Sequence, residues 1–216
     1  MAKTTESDKY WAKLLAQAQA VLTGASNAEL KVQLFDTLQE FFDGSNCWTE
    51  TIEFTVIPDT LDYKLMPLTG RILRLYGVQD QNGTLQQAAM PTIGTVHFLY
   101  PFTNAQPMAA WVVKTVTDPL DCHPPKIPDW VLPAYGNGIL SGIIGNMMLQ
   151  PGQSYSNQAM SQFHLTRFRG QIAHARVAMM RGNTVGSQAW HFPQSFRVSG
   201  QRGGVSTYNV QPRQLR

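Results

Sequence analysis

Cysteine and histidine are the residues in this sequence best suited to hold a metal ion, and they are few. Cys122 and His123 are adjacent, but no further cysteine or histidine lies near them at the spacing of a zinc site. His164 and His174 are ten residues apart on a predicted helix, which is too far for both to bind one ion. The pattern therefore predicts no metal site and no cofactor.

Motifs for nucleophilic catalysis and for phosphate binding are also missing from the sequence. The run from Gly152 to Ser156 approaches the nucleophile elbow G-x-S-x-G, but it lacks the final glycine and falls between two predicted helices. Neither a Walker-type loop nor G-x-G-x-x-G after a strand occurs. Asp118 and Asp121 bracket a proline in a predicted turn, where aspartate is favoured by its own backbone hydrogen bonds. We therefore expect no catalytic residues and no enzymatic activity.

The charged residues, and arginine above all, are distributed unevenly along this sequence. All 14 acidic residues lie at or before Asp129, where nine Lys and Arg leave a net charge of −5; the rest of the chain has eight Arg and no acid, giving +8. On the last predicted helix Arg169 and Arg176 share one face, and Arg167 and Arg181 lie on a neighbouring face. Such asymmetry is typical of nucleic-acid binding or of head-to-tail association, and a chance partition stays open as a third reading.

The end of the sequence, residues 183–216, combines aromatic side chains with arginines but has no helical period. It has too little contiguous apolar sequence to fold alone, and aromatics on such a segment indicate docking on partner chains. Buried aromatics and arginine are the residue types that most often dominate an interface. The predicted partner-binding residues are Trp190, Phe192, Phe196, Arg197, Arg202, Tyr208, Arg213 and Arg216.

The composition is that of a globular chain with few charges. Hydrophobic residues make up 43%, but Asp, Glu, Lys and Arg together make up only 14%, against roughly 25% in an average domain. A surface so poor in charge hints at burial in an assembly. Two cysteines form no disulfide framework and the start of the chain does not resemble a signal peptide, so we expect synthesis in a reducing cytoplasm.

Helical periodicity appears at both ends of the part predicted to fold. The first two helices end at Gly24 and Gly44, and the second starts with a capping box of Ser26 and Glu29. Asp129 is the predicted N-cap of a third helix. Its uncharged run of residues 131–149 is nearly long enough to cross a bilayer. The run is rich in glycine, however, which favours a tightly packed buried helix over a membrane span. Ser156 or Asn157 caps the fourth helix, whose predicted apolar stripe is Met160, Phe163, Phe168, Ile172, Ala175 and Met179.

Between the helices the hydrophobic period changes to two. From Trp48 onward it predicts about six antiparallel strands, with a hairpin across Pro58-Asp59-Thr60 and a type I′ turn at Asn82-Gly83. The predicted fold class is α+β: a four-helix bundle, with two helices from each end, an inserted small antiparallel β domain and an extended C-terminal tail. The predicted boundaries are 1–47 and 123–182 for the two bundle halves, 48–122 for the β domain and 183–216 for the tail.

Three segments of the sequence are similar to one known family. Thr51-Ile52-Glu53-Phe54 through Tyr63-Lys64-Leu65-Met66-Pro67, then Arg71-Ile72-Leu73-Arg74-Leu75, is similar to its first hairpin and following strand. Ile127-Pro128-Asp129-Trp130-Val131-Leu132-Pro133 is similar to the start of its third helix, and Pro151-Gly152-Gln153-Ser154-Tyr155-Ser156-Asn157 to the loop before its last, arginine-rich helix. In these segments the chain resembles the head-to-tail connector (adaptor) proteins of short-tailed bacteriophages. It departs from them in its third helix, which is richer in glycine and less charged.

The resemblance implies a partner for each end of the molecule. It implies a dodecameric ring bound on one side to the portal protein and on the other to tail-tube or tail-fibre proteins, with a central channel through which DNA passes without sequence readout. It also implies a C-terminal extension that reaches into the portal and neighbouring subunits. We therefore expect a virion structural protein at the portal–tail junction, synthesised in the host cytoplasm and not bound to a membrane. The alternative is a non-specific nucleic-acid-binding module that uses the basic C-terminal half.

Overall fold

The computed structural model of the chain describes residues 6–117 and 126–181, apart from the side chains of residues 6–9. These residues form two helices, then seven strands, then two further helices. The elements are α1 Glu6–Val21, α2 Asn27–Ser45, β1 Thr49–Val56, β2 Asp62–Lys64, β3 Arg71–Asp80, β4 Leu85–Gln86, β5 Ala88–Thr92, β6 Thr95–Phe98, β7 Gln106–Thr115, α3 Val131–Met148 and α4 Gln158–Met180.

The strands form two antiparallel sheets, one of four strands and one of three, whereas the sequence predicted one small antiparallel sheet or barrel of about six strands. One sheet has the order β1-β7-β3-β4, and the other has the order β2-β6-β5. Both sheets contribute to one apolar core, since Val56 and Val112 of the first pack in the same cluster as Val96 and Phe98 of the second. Burial of this shared face, rather than pairing between the two sheets, joins them.

The predicted hairpin across Pro58-Asp59-Thr60 does not form. Strand β1 pairs with β7, from Thr49 opposite Val113 to Val56 opposite Gln106, and β2 pairs with β6. The chain does turn where predicted, but backbone groups of the turn bond to a side chain. The Tyr63 hydroxyl accepts from the N–H of Ile57 at 3.0 Å and donates to the carbonyl of Thr60 at 2.9 Å. The five-residue connection therefore sends β1 and β2 into different sheets.

The turn at Asn82-Gly83 joins β3 to β4, as the sequence predicted, but with another geometry. A type I′ turn needs positive φ at both central residues, and only Gly83, at +78°, has it. The N–H of Gly83 donates to the carbonyl of Asp80, and the N–H of Asp80 donates to the carbonyl of Thr84. This is a type I turn followed by a glycine bulge, and the Asp80 carboxylate holds it by accepting from the N–H groups of Asn82 and Thr84.

The four helices do not form the predicted four-helix bundle. In a bundle each helix turns one apolar stripe to a shared axis, whereas α3 buries 12 of its 18 residues and packs against all three other helices. Helix α4 packs on α3 and α2, and α1 also packs on these two, but between the described parts of α1 and α4 contact is at most marginal. The sequence suggested a bundle because all four segments have helical periodicity, but α3 is apolar on nearly every side and is therefore the central helix.

Glycines let α2, α3 and α4 approach closely. A methyl group built on Gly142 would lie 2.6 Å from Cγ2 of Thr37 in α2 and 2.9 Å from the Phe168 ring in α4. One built on Gly145 would lie 2.8 Å from the Leu165 side chain. The glycine-rich segment is therefore a buried helix, as the sequence predicted. Within residues 6–117 and 126–181, no helix combines the length and apolarity needed to span a membrane.

Side chains fix several helix ends. Ser26 and Glu29 form the predicted capping box at the start of α2, and Asn157 caps α4 by accepting from the N–H of Met160 at 3.1 Å. Gly44 lies inside α2, which ends one residue later with Asn46 in the left-handed conformation. Asp129 is not the N-cap of α3, because that position is occupied by Trp130, whose side chain makes no capping bond.

Candidate interaction surface

Helix α4 is attached to the rest of the molecule along one narrow line of residues. Only Ser161, Phe168 and Ala175 are buried, each seven residues from the next. Seven residues make nearly two helical turns, so the three side chains lie almost in line. Phe168 packs over Gly142 of α3, and the Ser161 hydroxyl donates to the carbonyl of Gly145 at 2.7 Å. The glycines of α3 thus set both the position and the rotation of α4.

The rest of α4 is largely exposed, including apolar residues that the sequence placed on its inward stripe. Met160 and Phe163 were predicted to face the core, but Phe163 is 59% exposed and Met160 is also exposed. Met180, at the last turn, is 72% exposed, and Val177 is exposed as well. The seven-residue spacing of the buried line explains the error, because it passes through the small residues Ser161 and Ala175 instead of the large apolar ones.

The four arginines predicted to lie on the faces of this helix are all exposed. Arg167, Arg169 and Arg176 lie within α4, and Arg181 is the residue that ends it. Among the described residues no carboxylate comes within ion-pair distance of Arg167, Arg169 or Arg176. The helix itself contains no acidic residue, so its exposed side carries uncompensated positive charge.

His164 and His174 on α4 have different surroundings. Burial, followed by the positive charge of Arg167, lowers the pKa of His164 below its usual value, so the imidazole is held neutral. Its Nδ1 is buried without a hydrogen-bond partner. His174 is exposed and sets its ring edge-on against Tyr135 of α3, with centroids 6.3 Å apart. A neutral His164 adds no charge to that of the three arginines of the helix.

An acidic helix face, which the sequence reading did not single out, lies on α2. Its members are spaced by seven, four and three residues, so they share one side of the helix, opposite the buried residues. They are Glu29, Asp36, Glu40 and Asp43, here called the α2 face, and all four are exposed. Within the described part of the chain only Asp43 has a cationic partner, the Arg74 guanidinium of β3. The spacing of these acids in the sequence was the signal that could have revealed the face.

The predicted partner-binding residues of the tail lie outside the described residues. They are Trp190, Phe192, Phe196, Arg197, Arg202, Tyr208, Arg213 and Arg216.

Among residues 6–117 and 126–181, no three Cys, His, Asp or Glu side chains gather as metal ligands would. No family model matches this sequence, and no curated protein matches it either. The strongest candidate site on the described residues is therefore the exposed, basic side of α4.

Proposed function

We propose that this chain is a virion structural protein, a connector subunit that forms a ring between the portal and the tail and leaves a channel for DNA. It acts by geometry: it buries its surface against other chains and makes or breaks no covalent bond. Its partners are further copies of itself, the portal protein and tail-tube or tail-fibre proteins. The portal–tail junction of the virion is its place of action.

The observation that carries the proposal is the exposure of α4. A helix of 23 residues that buries only three of them leaves most of its side-chain surface to solvent, and here that surface includes Phe163 and Met180. Large exposed apolar side chains interspersed with arginine are typical of protein interfaces, where both residue types are enriched. In an assembled ring, neighbouring subunits would cover such a helix.

The charge distribution supports the same proposal. A ring subunit contacts its two neighbours through two different patches, and opposite charges on the two patches favour closure. The acidic first part and the basic second part of this chain meet that requirement. The tail, with its aromatics and arginines, would add a docking segment that becomes ordered on its partner.

Electron microscopy of the purified full-length chain, alone and mixed with the portal protein of the same virion, tests the proposal. We expect ring-shaped particles with a central channel, attached to one end of the portal. Replacing Trp190, Phe192 and Phe196 together by Ser should weaken attachment to the portal, because these side chains are its proposed anchors. A particle that stays monomeric in both samples at the highest attainable concentration would contradict the proposal.

Nucleic-acid binding by α4 is the alternative that a specific observation favours, namely that three of its arginines have no carboxylate partner in the part of the chain that the structure describes. The two functions differ in their dependence on salt. If Arg167, Arg169 and Arg176 each contacted one phosphate of duplex DNA, the logarithm of the affinity would fall with a slope of about −3 against the logarithm of salt concentration. Titration of a fluorescent 30-base-pair duplex at several salt concentrations measures this slope. For a connector we expect only weak duplex binding.

A further inference from the structure

The side of α4 turned away from its buried line forms one continuous surface, here called the α4 face. Because each residue turns a helix by about 100°, Gly170 and Val177 lie opposite Phe168. A methyl group built on Gly170 would contact nothing within 4 Å, which confirms that this position points into open space. The members of the α4 face that the inference uses are Phe163, Arg167, Arg169, Gly170, Arg176 and Val177.

The charges of the α4 face and of the α2 face match in size and oppose in sign. The α4 face has three arginines, giving +3, and the α2 face has four acids, of which Asp43 is paired with Arg74, so that the other three give −3. The α2 face also has an exposed apolar neighbour, Val32, at 63% exposure, one helical turn before Asp36. Each face therefore offers both charge and apolar surface to the other.

The two faces do not satisfy each other within one chain. Helices α2 and α4 pack together, with Ile172 of α4 over Gly44 of α2. Yet the described residues contain no ion pair between an α4 arginine and an α2 carboxylate. Both sets of charges are exposed, so a second copy of the chain can bring them together.

We propose that the α4 face of one copy docks on the α2 face of the next copy, and so on around the assembly. This inference rests on the proposed function and deepens it by naming the contact that closes the ring. Contact between two different faces is heterologous, and repetition of a heterologous contact produces a ring when the rotation closes. The absence of a side chain at Gly170 would let the partner helix approach the α4 backbone.

Charge reversal tests the pairing directly. The first variant, Arg169→Glu with Arg176→Glu, makes the α4 face acidic, and the second, Asp36→Lys with Glu40→Lys, makes the α2 face basic. Each variant alone should self-associate about tenfold or more weakly than the parent, because like charges then meet at every contact. Sedimentation velocity of the full-length chain at low salt, with and without portal protein, measures this association.

Mixing the two variants gives the sharpest result. The reversed, acidic α4 face of the first variant matches the reversed, basic α2 face of the second. The α2 face of the first variant and the α4 face of the second keep their original charges and still match. An equimolar mixture should therefore recover assemblies in which the two variants alternate, although neither assembles alone.

Two controls separate charge and shape from folding. Lys64→Glu with Lys126→Glu makes the same change in net charge as the first variant, but at exposed positions outside both faces, and it should leave association unchanged. Gly170→Trp should block docking by its bulk without lowering the midpoint of urea unfolding, because no neighbouring side chain surrounds that position in the single chain.

The outcomes distinguish the inference from the function on which it rests. Recovery of assemblies in the mixture establishes the pairing. If both charge-reversed variants assemble with the portal as well as the parent does, the pairing is wrong and the connector function stands. A parent chain that is monomeric alone and with the portal overturns both.

Discussion

Gly142 and Gly170, both inside helices, should respond in opposite ways to substitution by alanine. In an exposed helix interior alanine is favoured over glycine by about 1 kcal/mol, because glycine loses more conformational freedom on folding. At Gly170 no atom lies within 4 Å of the new methyl group, so the Gly170→Ala variant should gain about 1 kcal/mol in the free energy of unfolding.

At Gly142 the same methyl group would overlap its neighbours. It would lie 2.6 Å from Cγ2 of Thr37 and within 3.0 Å of two ring atoms of Phe168. Both residues are fully buried, so neither can rotate into solvent. Overpacking of a core costs about 1 to 3 kcal/mol, and such short approaches to rigid groups belong in the upper half of that range. After the gain in helix propensity is subtracted, Gly142→Ala should destabilise the protein by about 1 to 2 kcal/mol.

Urea unfolding followed by far-ultraviolet circular dichroism measures both free energies, at a protein concentration where the chain is monomeric. A third variant identifies the cause. Thr37→Ser deletes the clashing methyl group but keeps the hydroxyl, which donates to the carbonyl of Gln33 at 2.7 Å. Gly142→Ala should therefore cost less in the Thr37→Ser background than in the parent, because contacting residues are energetically coupled. If Gly142→Ala stabilises the chain as much as Gly170→Ala does, the close packing of α3 against α2 and α4 is wrong.

Three further perturbations probe the fold. Lys114 is 2% exposed and pairs with Glu50 at 2.8 Å, so Lys114→Met should cost about 3 to 5 kcal/mol. Adding Glu50→Gln should reduce that cost in urea unfolding, because no unpaired carboxylate stays buried. Ser26→Ala should cost about 1 kcal/mol at pH 7. The backbone N–H of Ser26, and then its side chain, lower the pKa of Glu29. Alanine keeps the backbone N–H, so only the part of the cost due to the side-chain bond to Glu29 should vanish as pH falls below 4.5 and through the lowered pKa; a pH-independent cost would refute that link. Burial raises the pKa of Cys47, so with the second cysteine replaced by Ser, the folded chain should react with a thiol reagent at pH 8 more slowly than the urea-unfolded chain; equal rates would contradict the burial.

The candidate surface could be predicted from the sequence only in part. The arginines of α4 were identified from their spacing, and the structure places all of them on its exposed side. The sequence did not reveal that Phe163 is exposed, because amphipathic spacing gives the apolar stripe of a helix but not which neighbour covers it. The buried line through Ser161 and Ala175 exists because glycines of α3 leave room beneath α4. That cause lies in α3, so the sequence of α4 alone does not reveal it.

What the sequence determined by itself is local. The start of α2 at Ser26, the start of α4 at Asn157 and the turn after Asp80 all depend on hydrogen bonds between residues at most four apart, so neighbouring residues suffice to specify them. Only the tertiary structure decided that β1 joins β7, which lies about 50 residues further along the chain, and that α3 is the central helix. Both results depend on which apolar faces bury each other best, and that competition is settled only when the whole chain has collapsed.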